Sequence, residues 1–418
     1  MSEGALRAGV GPPGPADTTA GCTEAGPRRC APTDQEIDLM CHSATEPRFI
    51  LLTACGIILV GGACRSDDRP SPAAGAEQSH ARLVSDAAPI SLFGDLPDRA
   101  NDAYASFAQT ALRRHTFSEE GADFDPDLDA AGQRLVFAST RHHLNPDLYL
   151  QSVDGVAVTQ LTSDPSSEVQ PAFSPDGRYI AFASDRSGNW DLWVMEVDGA
   201  SPIQVTSGPG DEVHPSWSPD GLRLVYCALP PGKNQWELWI TGAREGGTSQ
   251  FIGYGLFPEW SPAGDVILYQ RARQRGSRWF SIWTLTLVDG EPKHPTEIAA
   301  SSRFAMIAPN WHPDGTHIAF TTIGPAAPDS TETSVSFSSD IWIVGLDGRS
   351  RRKLTDGQGS HQSPVFSADG RVYFVADREG NQNIWSLPWT PGETADSRLT
   401  AIESGSDATG DAVIDASP

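Results

Sequence analysis

The sequence predicts an all-β fold, a six-bladed β-propeller of four-stranded antiparallel blades, and three observations carry that reading. One phrase recurs six times: "DFDPDLDAAG", "AFSPDG", "SWSPDG", "EWSPAG", "NWHPDG" and "VFSADG". Counted at the closing glycines Gly132, Gly177, Gly221, Gly264, Gly315 and Gly370, the copies stand 45, 44, 43, 51 and 55 residues apart. That is the period of a propeller blade. Each phrase leads into two nearly continuous apolar runs, as expected of strands packed on both faces. Forty Gly, 33 Pro and 12 Trp among 418 residues complete the picture: many turns, few long helices, and aromatics suited to a pleated surface.

The second copy shows how one blade is written. A short strand, Val169–Phe173, runs into Ser174-Pro175-Asp176-Gly177. There Pro presets φ for a turn and Gly closes it. A second strand spans Arg178–Ser184, a third Asp191–Val197, and a fourth Ile203–Thr206 exits to the next copy. The third strands elsewhere read "DLYLQSV", "WELWIT", "FSIWTLTLV", "DIWIVGL" and "NIWSLPW". In the first copy Pro126-Asp127 is read against Pro175-Asp176, as a turn with an insertion. Its alternating Asp123, Asp125, Asp127 and Asp129 lack the central Gly and distal Glu of a calcium loop. The two long intervals are assigned to surface loops, chiefly residues 322–339.

The propeller is expected over residues 115–402, followed by a disordered tail, 403–418. Ahead of it, residues 95–114 are read as a helix, with Leu96, Ala103, Phe107 and Leu112 near helical spacing. Residues 65–94 read as a flexible tether. Residues 1–47 read as disordered or as lying upstream of the true start, since Met40 would open a conventional leader. Between them Phe49–Ala63 is a run of fifteen residues without a charge. That is short for a membrane span and suits the apolar core of a signal peptide.

The phrase "LTSDPSSEVQPAFSPDGRYIAFASDRSGNWDLWVMEVDG" is similar to the PD40 (WD40-like) repeat of the TolB propeller family, and Leu-Thr recurs at Leu161-Thr162, Leu354-Thr355 and Leu399-Thr400. The resemblance covers about 290 residues and implies the propeller fold; propellers host many activities, so it speaks less to function. Residues 48–64, ending "VGGAC", resemble a bacterial lipoprotein signal, which implies that Cys64 is lipidated and opens the mature chain. Cys55, ending "LTAC", is the alternative cysteine, with only Phe49–Ala54 as its apolar run; a non-lipidated signal or a simple anchor are the other readings.

The formal charge of −24 argues against nucleic-acid binding, which needs basic surface. Five of six cysteines lie in the first 64 residues, so no disulfide framework is expected; Cys227, within "LVYCAL", reads as a buried thiol. There is no Gly-x-Ser-x-Gly elbow, Gly-rich phosphate loop or Cys/His zinc spacing. No catalytic residue, metal or cofactor is expected. The residues that differ between copies at the start of each first strand are the candidates for binding. Glu119, Glu168 and Glu212 align there, His361 takes that place in the sixth copy, and His214 is expected on the same side of its strand as Glu212. Such a ring at the channel mouth could take a cation or a partner's basic side chain.

The function expected is a non-catalytic protein-interaction scaffold of the bacterial cell envelope, a monomer held to the membrane through its lipid alone, in the periplasm or on the outer membrane. The resemblance implies a partner such as a peptidoglycan-associated lipoprotein. Members of that family carry an additional α/β domain and are soluble, so a TolB-like lipoprotein is expected rather than TolB itself. The alternative is a metal-dependent oligogalacturonate-type lyase, or another ligand-binding propeller, with His214, His361 and Gln170 as the residues to hold the metal.

Overall fold

The computed structural model describes residues 111–391 apart from 200, 245–246, 273–279, 326–336, 349, 358 and 379. Among them, 24 strands form six four-stranded antiparallel sheets, the blades of a propeller. Blade 2 consists of β6 (Glu168–Phe173), β7 (Tyr179–Ser184), β8 (Asp191–Glu196) and β9 (Ile203–Gln204). Its first turn is the repeated phrase: the Gly177 N–H donates to Ser174 O at 2.8 Å, and the Tyr179 N–H to Ser174 Oγ at 2.9 Å. Gly177 has φ of +67°, and a Cβ there would stand 2.5 Å from Arg134 Nη2. Arg134 itself donates to Gly177 O at 2.8 Å, so the turn of blade 2 is pinned by blade 1.

Every innermost strand contains the same single-residue β-bulge. These strands are β2 (Asp123–Leu128), β6, β10 (Asp211–Trp217), β14 (Leu256–Trp260), β18 (Ala305–Trp311) and β22 (His361–Phe366). In each, the strand advances three residues while its partner advances two, as from Val169↔Ala183 to Ala172↔Ala181. The bulged residues Asp125, Gln170, His214, Phe257, Ala308 and Ser363 all lie in the left-handed region, at φ of 47–55°. A proline follows each of them. Proline has no N–H for the ladder and is tolerated where a bulge interrupts it. A left-handed conformation costs a non-glycine residue about 1–2 kcal/mol, so repeating it six times requires compensation from neighbours.

Part of that compensation is packing between blades. One buried cluster joins Leu268 and Ile282 of blade 4 to Met306, Trp311, Ile318 and Phe320 of blade 5. Another joins Ile341, Ile343 and Leu354 to Phe366, Phe374 and Trp389. A third joins Leu135, Phe137 and Tyr149 of blade 1 to Tyr373 and Ile384 of blade 6. The core therefore lies between sheets, which is why second and third strands are apolar on both faces. Cys227 is fully buried as a free thiol, and burial pushes its pKa up.

The ring is latched by residues ahead of the first blade. Strand β1 (Arg113–Arg114) pairs antiparallel with β24 (Gln382–Pro388) and supplies the outer strand of blade 6. The latch continues beyond β1: His115 N–H donates to Ile384 O at 2.9 Å and Ile384 N–H to Thr116 Oγ1 at 2.9 Å. The Asn383 carboxamide oxygen accepts from Ser118 N–H at 2.9 Å. His115 is buried with Nδ1 3.2 Å from Val153 O and Nε2 2.8 Å from Ser386 Oγ. A carbonyl only accepts, so Nδ1 carries the proton and Nε2 accepts from the serine.

Three expectations are corrected. Residues 111–114 are a turn and a strand, not the end of a helix, because β24 offers an open edge that Arg113–Arg114 satisfy; residues 95–110 of the expected helix lie outside the described residues. The stretch 322–339 is not simply a loop: β19 (His317–Pro325) and β20 (Phe337–Gly345) pair as far as Pro325↔Phe337, extending the hairpin of blade 5. Pro126-Asp127 is the bulge proline and its successor, equivalent to Pro171-Ala172, and the turn of blade 1 is Asp129–Gly132. The expected leader, tether and tail segments (1–47, 48–64, 65–94, 403–418) lie outside the described residues.

Candidate functional site

The six bulges face a cavity of about 470 Å³ along the propeller axis. Two tiers of side-chain positions line it. The bulged residues Asp125, Gln170, His214, Phe257, Ala308 and Ser363 form one; the residues two further on, Asp127, Ala172, Ser216, Glu259, Asn310 and Val365, form the other. Beyond them the cavity reaches the turns, where Pro175, Pro219, Pro262 and Pro313 stand. The bulge turns both positions toward the axis, and it leaves main-chain N–H groups that the ladder does not use.

Those amides are satisfied from the blade before. Asp125 Oδ2 accepts from Gln170 N at 3.3 Å, and Gln170 Oε1 from His214 N at 2.9 Å. In the second tier Asp127 Oδ2 accepts from Phe173 N at 2.6 Å, Ser216 Oγ from Trp260 N at 3.0 Å, and Asn310 Oδ1 from Phe366 N at 3.1 Å. Gln170 Nε2 also donates to His214 Nε2 at 3.0 Å, which leaves the His214 proton on Nδ1. The His214 ring packs on Phe257 with centroids 3.7 Å apart.

No Lys or Arg lines the cavity among the described residues, whereas four carboxyls do: Asp125, Asp127 and Glu259, and Asp129, which Arg134 holds at 2.8 Å. Desolvation pushes Asp125 up to about 6, Asp127 to about 7 and Glu259 to about 8. Glu259 is raised further by repulsion from Asp127 and held back by a 2.8 Å hydrogen bond from Ser216 Oγ. Burial lowers His214 to about 3 and keeps it neutral. The channel is thus an acidic slot in which an incoming cation would ionise the carboxyls it meets. Among the described residues no group of three or more His, Cys, Asp or Glu is placed to hold a metal ion.

The sequence-nominated residues are not gathered in one place. Glu119 is exposed and precedes the first blade; its carbonyl accepts from Asn381 Nδ2 at 2.6 Å. Asp123, not Glu119, occupies the position of Glu168, since Asp123 pairs with Ser139 as Glu168 pairs with Ser184. Glu168 is buried under Arg186 and Ser184, each at 3.0 Å, and burial raises its pKa despite them. Glu212 and His214 do not share a side: the left-handed His214 interrupts the alternation, sending His214 to the channel and Glu212 toward Asp191 of blade 2. His361 is buried in blade 6, with Nδ1 3.3 Å from Ser339 O and Nε2 3.9 Å from Asp356. Of the lyase candidates, Gln170 and His214 line the channel together and His361 does not.

From the sequence, Asp125 and Asp127 are weighed only as part of a calcium-loop pattern in the first copy, and they are not joined to Glu259 of the fourth copy. A signal existed: each stands next to the proline that interrupts an otherwise apolar first strand.

Residues 98–286 match the family model described as the TolB beta propeller domain, taking in blades 1 to 3 and most of blade 4. The protein TolB homolog of Chlorobium luteolum is 31% identical over 125 residues, 22% of this chain and 29% of the relative. The Tol-Pal system protein TolB of Bordetella pertussis is 30% identical over 148 residues, 27% of this chain and 34% of the relative. The chain therefore spans about a third of the length of the curated relatives it matches. The crystal structure of TolB from Acinetobacter baumannii superposes with a TM-score of 0.47 at 17% identity, over 63% of this chain and 65% of that one. Residues 98–286 are thus similar to the TolB beta propeller domain, and the structure around them is a propeller of six four-stranded blades.

Proposed function

We propose that this protein is a non-catalytic interaction scaffold of the bacterial cell envelope, and that a partner docks at the proline-lined mouth of the channel with a basic side chain directed inward. The observation that carries this reading is the channel's uncompensated acidity: Asp125, Asp127 and Glu259 with no cation beside them among the lining residues. A guanidinium or ammonium entering from a partner would trade its water for these carboxyls, while the prolines around it offer apolar contact without loss of side-chain freedom. The neighbouring groups serve structure rather than bond-making. Ser216 donates to Glu259 and accepts from a main-chain amide, and His214 is held neutral between Gln170 and Phe257.

Similarity to Tol-Pal proteins supports an envelope partner of the peptidoglycan-associated lipoprotein kind; export by residues 48–64 and anchoring through Cys64, as a monomer, rest on the sequence reading alone. The test is capture from detergent-solubilised envelope extract by the full chain, comparing the native protein with Asp127→Asn/Glu259→Gln. Identification of a partner by the native protein, and at least tenfold less of it with the variant, is the expected result. Equal capture by both would remove the channel from the reading. Labelling of cells with palmitate and metal analysis of the purified chain separate the remaining points: label on the native protein and none on Cys64→Ser supports the anchor, and a stoichiometric transition metal would return the lyase.

A further inference from the structure

The start of the innermost strand carries an acid in blades 1, 2 and 3, and in the first two an arginine from the same blade covers it. Arg141 Nη2 lies 2.8 Å from Asp123 Oδ1, with its guanidinium 4.9 Å from the Tyr149 ring. Arg186 Nη2 lies 3.0 Å from Glu168 Oε1 and its guanidinium 4.8 Å from the Trp193 ring. A serine of the second strand, Ser139 or Ser184, completes each arrangement. In blade 3 the acid remains as Glu212, but its cross-strand partner is Ala228, and the position two residues on is Pro230. Both donors are gone.

Glu212 instead meets the blade before it. The Glu212 N–H donates to Trp190 O at 2.7 Å, drawing the start of β10 against the start of β8. Its carboxyl faces that of Asp191. Asp191 Oδ2 already accepts from Gln204 Nε2 at 3.2 Å and from Ser187 Oγ. Asp191 Oδ1 and Glu212 Oε2 are both buried, and neither has a donor from any other group. Two acceptors cannot bond each other, and two bare carboxylates in a dry seam repel. A proton between the two orphaned oxygens satisfies both.

We infer that one shared proton between Asp191 and Glu212 locks the seam between blades 2 and 3, standing in for the arginine of blades 1 and 2, and that alkaline pH unlocks it. The surroundings supply no other counter-charge. From β10 the pair faces Asp211, from the next strand, β11 (Arg223–Leu229), the Tyr226 phenol, and from the segment after β9 the Thr206 hydroxyl. Lys233, in the following loop, is held by Glu237 at 2.6 Å. Nor is there slack on the other side of Glu212, where a Cβ at Gly208 would stand 3.1 Å from its Oε1. Burial and then Asp191 push Glu212 up to about 8 from its ordinary 4.5. The folded chain holds this proton more tightly than the unfolded one, so the lock is whole below about pH 4.5 and lost as pH rises through about 8.

The experiment compares thermal melts of the full chain with those of Glu212→Gln. The glutamine amide donates to Asp191 at every pH, so the variant keeps the bond and loses the titration. At about pH 5 the two melt within a few degrees of each other; at about pH 9 the variant melts at least ~4 °C higher. Parallel curves across that range overturn the proposal. Should the variant not fold, carboxyl-13C glutamate spectra of the Glu259→Gln chain decide: one glutamate titrating above pH 7 sustains the lock, and none overturns it.

Discussion

Asp127 of blade 1 accepts the main-chain N–H of Phe173 in blade 2 at 2.6 Å, and so belongs both to the channel wall and to the seam between two blades. Ser216 and Asn310 do the same for Trp260 and Phe366. The variable residues of the channel therefore also hold the ring together.

Asp127→Ala leaves the Phe173 amide without a partner and is expected to lower stability by about 1–3 kcal/mol. Asp127→Asn keeps an acceptor in place and should lose clearly less. Equilibrium urea unfolding at neutral pH measures both. Equal losses would show that the charge, not the hydrogen bond, is what blade 2 needs.

The channel acids make stability fall with rising pH. Asp125, Asp127 and Glu259 hold protons more tightly folded than unfolded, so their contribution is whole below about pH 4 and is lost through about 6, 7 and 8. Each group adds at most ~1.4 kcal/mol per pH unit to the slope. Glu259→Gln is expected to flatten the upper part of a melting-temperature profile taken from about pH 5 to 9. A profile that keeps its slope there would mean that Glu259 is ionised in the folded chain.

The latch responds in the opposite direction. Burial lowers His115 to about 4 from 6.5, so its contribution is whole above about pH 6.5 and lost as pH falls through about 4. Hydrogen-exchange protection factors of the His115 and Ile384 amides should fall on acidification before those of the interior of blade 2 do. Asn383→Ala should lower the same protection at neutral pH by freeing the Ser118 amide. A uniform fall in protection across the propeller would contradict a separately opening latch.

Removing Arg186 strands the buried Glu168 and uncovers the Trp193 ring. Arg186→Ala is expected to cost about 3–5 kcal/mol. Arg186→Lys should recover part of this, since an ammonium restores the charge but not the planar fork. Denaturant unfolding of the two variants checks this; full recovery by Arg186→Lys would show that the stacking geometry is unimportant.

Much of the fold could be read from the chain because each blade is local. The strands of the second copy fall within two residues of where periodicity and turn residues put them, since Ser-Pro-Asp-Gly and the apolar runs act over neighbouring residues. The bulges were harder. Strict alternation puts Glu212 and His214 on one side, and only the left-handed φ at His214 shows that they part. The proline after each bulge was visible six times, but its meaning depends on the register of the second strand.

The sequence by itself determined the blade count, the turn of the second copy and the burial of Cys227, all of which follow from patterns within about 45 residues. The tertiary structure decided how the ring closes, through Arg113–Arg114 on β24, and which acids meet. Asp127 and Glu259 are separated by three blades in sequence yet repel within one channel, and Asp191 meets Glu212 only because blades 2 and 3 pack. Such encounters depend on how blades pack against one another and close the ring, and no local pattern encodes them.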